Sequence, residues 1–181
     1  MSTPRARTPS AGHRGLERAD AAFYANWLRV ALRGVSARAQ SHDPWGMRHR
    51  LYVHIVWTTR DRLPLIMAPL AVFLARFLPA VAAQERANLL ALGIVTTHVH
   101  LLLRLHPTTN ITRLVQRLKG GSARVSGLEG RAGEEHRLRW AKGYSLDSVG
   151  QRAIPVAMRY VNSQSSRHPE QAIPGWPPES G

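Results

Sequence analysis

Two short stretches bring together side chains that could do chemistry. Histidine occurs twice in Thr97-His98-Val99-His100, and Tyr160 stands four residues before Gln164. On a β-strand, residues i and i+2 project from the same face. His98 and His100 would then present two imidazoles side by side, a natural clamp for a divalent metal. A bare pair of this kind is more often one packed histidine and one solvated one, and the motif alone leaves both readings open. Two other histidine-pair architectures fail on arithmetic. A cupin-type site needs a glutamate shortly after the pair, and residues 101–116 contain none. A barrel amidohydrolase needs a far longer chain after the motif. On a helix, i and i+4 share a face, so Tyr160 and Gln164 would stand one turn apart. Taken alone, that is an ordinary amphipathic surface pair.

These residues act together only if the fold brings them together. Leu51 to Trp57 is rich in β-branched and aromatic residues and predicts a strand. Pro69 suits the first turn of a helix, whose stripe is Leu70, Phe73, Leu74, Phe77, Leu78 and Val81, with Pro79 expected to kink or shorten it. Asn88 to Val95 predicts a second strand, in which Gly93 suggests a bulge. His98 to Leu105 predicts a third, two residues further on, a hairpin-length connection. Asn110 is a good N-cap for a helix with Ile111, Leu114, Val115 and Leu118 inward, expected to weaken or end at Gly120-Gly121. A loop over Gly127–Glu135, a strand or hairpin within Leu138–Val149 and a helix over Ile154–Ser165 complete the order. The fold class is thus α+β: a ferredoxin-like β-α-β-β-α-β core with an antiparallel sheet, plus a C-terminal helix. RNA-binding domains share this order but carry an aromatic-rich strand that is missing here.

The organised domain is expected over residues 48–168. A basic, largely irregular extension precedes it over 1–47, with one helical stretch at Phe23–Val35, and a loose tail follows over 169–181. The chain carries a formal net charge of +14, and 23 of its 25 cationic residues are arginine. Such a charge on a small domain predicts a polyanionic partner, nucleic acid ahead of an anionic membrane. Arginine-rich codon usage accounts for part of it. There are no cysteines, which excludes disulfides and thiolate metal sites and is compatible with a reducing cytoplasm. The N-terminus lacks the early apolar run of a secretory signal. The apolar stretch Leu63–Ala83 is interrupted by Arg76 and three prolines, so no membrane span is expected.

Four stretches in order resemble the single-tyrosine HUH transposases, which comprise the insertion-sequence-200-like and REP-associated tyrosine transposases. They are the strand and loop from His54-Ile-Val-Trp57 through Arg60 and Arg62, the pair in Thr97-His98-Val-His100, Trp140-Ala-Lys-Gly143-Tyr144 through Gly150, and Tyr160-Val-Asn-Ser-Gln164. Together they cover about two thirds of the chain. The sequence departs from the family in having Thr97 where Asn or Asp often precedes the first histidine, in Pro155 near the start of the last helix, and in the long basic extension.

The resemblance implies a bacterial, cytoplasmic, nucleoid-associated enzyme that cuts and rejoins single-stranded DNA carrying a hairpin. It implies Tyr160 as the nucleophile; Tyr144, in the predicted strand, is expected to pack or to position. It implies His98, His100 and Gln164 as ligands of Mg²⁺ or Mn²⁺, and a homodimer, although a monomer is compatible with the REP-associated members. A tyrosine pKa near 10 makes the phenol a poor nucleophile until the phosphate is activated, which is what the cation would supply. Arg60, Arg113, Arg117 and Lys119 are the candidate contacts to the DNA backbone. The competing classes are a non-catalytic or domesticated nucleic-acid-binding protein of the same fold, and a metal-dependent hydrolase.

Overall fold

The computed structural model describes residues 50–128 and 137–176. The expected extension over 1–47, with its Phe23–Val35 helix, lies outside the described residues, as does most of the expected Gly127–Glu135 loop. The main elements in chain order are β1 (Leu51–Thr58), α1 (Ala68–Gln84), β2 (Ala87–Val95), β3 (His98–Leu105), α2 (Ile111–Leu128), β4 (Ser145–Ser148), α3 (Ile154–Asn162) and α4 (Gln164–Arg167). The strands form one sheet in the order β2-β3-β1-β4, and every neighbouring pair is antiparallel. This is the ferredoxin-like α+β core that the element order predicts.

The residue pattern of each strand decides which helices cover which face. In β1, Val53, Ile55 and Trp57 are buried, and Tyr52, His54 and Val56 point to the opposite face. The first set joins Val99, Leu101 and Leu103 of β3 in the main core, closed by Leu74, Phe77, Leu78 and Val81 of α1 and Leu114, Val115 and Leu118 of α2. The other face is covered by α3, where Val161 packs on Ala91 and Leu102 with Ile154, Ala157 and Met158 around it. The central strand β3 is therefore apolar on both sides, and its two histidines open onto the α3 side. Paired residues across a sheet share a face. Val56 and Gly93 flank His100, and Thr58 and Val95 flank His98.

Several local expectations change in the folded chain. Pro79 does not shorten α1, because buried residues on both sides of it, from Leu74 to Ala82, hold the helix against the sheet. That packing outweighs the loss of one backbone hydrogen bond. Gly120-Gly121 does not end α2 either. A Cβ at Gly121 would meet Phe77 Cζ at 2.8 Å, so the glycine lets α2 approach α1 closely. The irregularity in β2 falls between Leu89 and Ala91, not at Gly93. Only Ser145–Ser148 of the Leu138–Val149 region forms a strand, preceded by an isolated bridge from Trp140 to Thr59. The last helix breaks at Ser163 (φ −97°, ψ 19°), so Tyr160 and Gln164 lie in successive helices. Pro155 sits in the first turn of α3, where its missing N–H costs nothing. Residues 169–176 are docked: Ile173 is buried, Trp176 packs on the core, and the Gln171 carbonyl accepts from Thr96 N at 2.9 Å.

Candidate catalytic site

His98 and His100 are both buried, with ring centroids 4.9 Å apart. The two-residue turn Thr96-Thr97 sets their place, and the C-terminal segment buttresses that turn. Thr97 Oγ1 lies 2.9 Å from His98 Nδ1 and donates its own hydrogen to Gln171 Oε1 at 2.7 Å. Thr97 thus takes an orienting role at the position where the family often has Asn or Asp.

Two further histidines border the pair. His54 of β1 stacks on His100 at 5.1 Å between centroids, with Nε2 2.9 Å from His100 Nδ1. His168 meets His98 edge-on at 5.5 Å. Burial, reinforced by the neighbouring imidazoles, pushes His100 down to about 3. Burial, His168 and Arg62 lower His98, with Gln164 acting in the opposite direction. Burial also lowers His54, partly offset by Asp147. His54, His98 and His100 are thus neutral imidazoles, whose bare nitrogens are what a metal needs.

These shifts make an expected outcome for stability. The unfolded chain takes up protons below pH 6.5, whereas the folded site refuses them, so stability is full above 6.5 and falls as pH drops through that value toward the lowered folded ones. Each refused proton contributes a slope of about 1.4 kcal/mol per pH unit. Denaturant midpoints measured in chelator between pH 7.5 and 5 check this, and His100→Asn should flatten the slope.

Tyr160 and Gln164 reach the same pocket from the helical side. The Tyr160 ring stands edge-on to His100 at 5.7 Å and to His54 at 5.8 Å. It remains 37% exposed, and the Arg167 guanidinium lies over its ring at 4.9 Å. A groove of about 860 Å³ runs past it, lined by Val156, Arg159, Ser163 and Arg167 among others. Gln164 is buried, and its Nε2 donates to the Tyr160 carbonyl at 2.8 Å. Its Oε1 lies close enough to His98 to act on that ring, yet it is buried without a hydrogen bond of normal geometry. Such an orphaned oxygen is costly unless something pairs with it.

That orphaned oxygen is the direct test of whether a cation fits. Among the described residues, no three His, Cys, Asp or Glu side chains form a metal-holding group. Beside His98 and His100, the unpartnered Gln164 Oε1 is a candidate third donor of another residue type. Two nitrogens and one amide oxygen suit Mn²⁺ well and leave positions open; Mg²⁺ prefers an all-oxygen set.

The cations chosen from the sequence are placed differently from one another. Arg60 is exposed, pairs with Asp61 at 3.5 Å, and borders a pocket of about 290 Å³ with Arg139. Arg113 and Arg117 both pair with the buried carboxylate of Glu85, and Arg117 also donates to Gln84. Lys119 Nζ donates to the carbonyls of Ala141 and Gly143 at 2.8 and 2.6 Å, and more weakly to Lys142. Together with the Trp140 Nε1 bond to Ser122, it fastens the segment leading to β4 onto α2. Lys119→Met should lower stability by about 1–3 kcal/mol, as loss of charged hydrogen bonds does. Denaturant unfolding measures this. Tyr144, expected to pack or to position, is 44% exposed and lies just before β4. The sequence reading missed His54, because its partner is 46 residues away and only the β1–β3 register brings them together.

Comparison with known proteins identifies the family. The chain is 26% identical over 125 residues to the ISDra2 transposase TnpA of Deinococcus radiodurans, covering 67% of this chain and 89% of that protein. A transposase of Deinococcus radiodurans R1 solved by crystallography superposes with a TM-score of 0.52 at 26% identity, over 71% of this chain and 95% of that one. A REP-associated tyrosine transposase, solved bound to a REP hairpin, matches with a TM-score of 0.53 over 67% of this chain and 73% of that one. At 12% identity this last likeness is one of fold. The profile of the family described as "Transposase IS200 like" matches residues 47–164, a span that holds both the histidine pair and Tyr160. The chain therefore belongs to the IS200-like transposases, enzymes of DNA transposition.

Proposed function

We propose that this transposase cuts and rejoins single-stranded DNA through a covalent bond to Tyr160, assisted by a divalent cation on His98, His100 and Gln164. The observation that carries the proposal is the convergence of an accessible tyrosine and an orphaned amide oxygen, four residues apart, on a neutral histidine pair. A bound Mg²⁺ or Mn²⁺ supplies charge neutralisation at the non-bridging oxygens of the scissile phosphate.

In the cutting step the Tyr160 phenol oxygen attacks phosphorus and gives up its proton. The bond from phosphorus to the 3′-oxygen breaks, and that oxygen takes a proton to become a free 3′-OH. The 5′-phosphate stays on Tyr160 as a phosphotyrosine. In the joining step another 3′-OH attacks the same phosphorus, and the phenol leaves and regains a proton. One phosphoester bond replaces another in each step, so no ATP is needed. This is the advantage of a side-chain nucleophile over water.

The REP-associated relative was solved on a REP hairpin, and a hairpin beside the cleavage point is the substrate proposed for this chain. Arg159 and Arg167, which line the groove at Tyr160, and the exposed Arg60 are the proposed phosphate contacts. Arg113, Arg117 and Lys119 already serve Glu85 and the 141–143 carbonyls, so we pass the backbone-contact role from them to the groove arginines. Tyr160 meets the histidines of its own chain. The homodimer that the resemblance implies is proposed for this chain. Among the described residues no helix is long and apolar enough to cross a membrane.

End-labelled, hairpin-bearing single-stranded DNA incubated with the full chain and Mn²⁺ tests the reading on one denaturing gel. A covalent protein–DNA adduct with a free 3′-OH fragment is the expected result. Free 5′-phosphate ends without adduct would indicate hydrolysis, and intact DNA with retained binding would indicate a binding protein.

A further inference from the structure

We propose that His54 is a positioning residue that fixes His100 with its hydrogen on Nδ1, so that Nε2 is the nitrogen offered to the cation. The inference rests on the cation reading above. A neutral imidazole carries one N–H and one bare nitrogen, and only the bare one can bind a metal. The Nδ1 of His100 is already committed, lying 2.9 Å from His54 Nε2. His100 is ligand-ready only if it donates in this hydrogen bond and His54 accepts.

Two features of the structure favour that direction. If His54 accepts at Nε2, its own hydrogen sits on Nδ1. Asp147 is its cross-strand partner in the β1–β4 register and supplies the negative charge that acts on this ring. A carboxylate on the same face of the sheet favours a hydrogen on the His54 nitrogen turned away from His100, as outer partners orient metal-binding histidines. The second feature is the parallel at His98. Its Nδ1 faces Thr97 Oγ1, whose own hydrogen goes to Gln171, so the threonine oxygen can only accept from the ring. Both histidines are thus held at Nδ1 from behind, His98 by its hairpin turn and His100 by the neighbouring strand.

His54 could instead serve only as an aromatic spacer, since it stacks on His100 and touches Tyr160 edge-on. Two substitutions separate the roles. His54→Phe keeps a ring but loses the acceptor. His54→Gln loses the ring but keeps an acceptor near the position of Nε2. Mn²⁺ binding to the full chain, followed by electron paramagnetic resonance, should weaken about 10–100-fold in His54→Phe and stay within about threefold of wild type in His54→Gln. Ring-nitrogen NMR of the metal-free wild type should show the His100 hydrogen on Nδ1. This second measurement decides the matter even if the phenylalanine variant fails to fold.

Equal Mn²⁺ affinity in wild type and His54→Phe would overturn the proposal while leaving the cation reading intact. So would a His100 hydrogen found on Nε2. A wild-type chain that binds no Mn²⁺ removes the cation reading, and this proposal with it.

Discussion

Tyr160→Phe is expected to abolish covalent attachment to DNA while leaving the fold and metal binding intact. The substitution removes one oxygen from a side chain that is 37% exposed and held by ring contacts with His54, His100 and Arg167. Phenylalanine preserves those ring contacts. Stability should stay within about 0.5 kcal/mol of wild type, as for a surface substitution. The rate of strand cleavage should fall at least about a thousandfold, the scale seen when a nucleophile is removed. Mn²⁺ affinity should not change, because the proposed donors are His98, His100 and Gln164. Single-turnover adduct formation and metal titration on the same preparation check both halves. A variant that still forms adducts would place the nucleophile elsewhere, and one that loses Mn²⁺ would make the tyrosine part of the metal site.

Gly93→Ala is the second substitution with a large expected effect, although it touches no reacting group. Gly93 lies opposite His100 in the β2–β3 pairing. A Cβ there would stand 2.3 Å from the Val161 carbonyl oxygen and 2.7 Å from Gln164 Cγ. One obstacle is helix backbone, which cannot rotate away as a side-chain tip can. The helix must lift, and Val161 is the residue that seats it on Ala91 and Leu102. Overpacking of this kind costs about 1–3 kcal/mol. Tyr160 and Gln164 flank that contact in sequence, so both would move with it. A displacement on the order of 1 Å can cost about a hundredfold in rate. Cleavage should therefore fall well beyond what the loss of stability explains, which denaturant unfolding and single-turnover kinetics together resolve. A Gly93→Ala chain with wild-type kinetics would mean that α3 does not rest on β2 at this point.

The parts of the fold set by local pattern were legible in the sequence. Period-2 spacing placed His98 and His100 on one face, the Thr96-Thr97 pair gave the hairpin, and the apolar stripes gave α1 and α2. What escaped depends on contacts between distant segments. Gly93 reads locally as a strand irregularity, but its role is to admit α3, which arrives some seventy residues later. Gly120-Gly121 reads as a helix end, but Gly121 is where α2 meets Phe77 of α1. The cations of α2 lie off its apolar stripe, as expected; the Glu85 carboxylate at the end of α1 and the 141–143 carbonyls that capture them are invisible from helical spacing. His54 sits in a strand whose alternation is plain, yet its partner at His100 follows only from pairing Val56 opposite His100. The site residues themselves were named through resemblance, since neither His-x-His nor Tyr-x-x-x-Gln is specific alone.

The most direct test concerns where the DNA is joined. The full chain is incubated with hairpin-bearing single-stranded DNA and Mn²⁺, the adduct is digested with protease and nuclease, and the peptide that carries the nucleotide is sequenced by mass spectrometry. The modification is predicted on Tyr160, within the stretch from Ile154 to Arg167. A nucleotide carried by Tyr144, or by any residue other than Tyr160, would contradict the central claim.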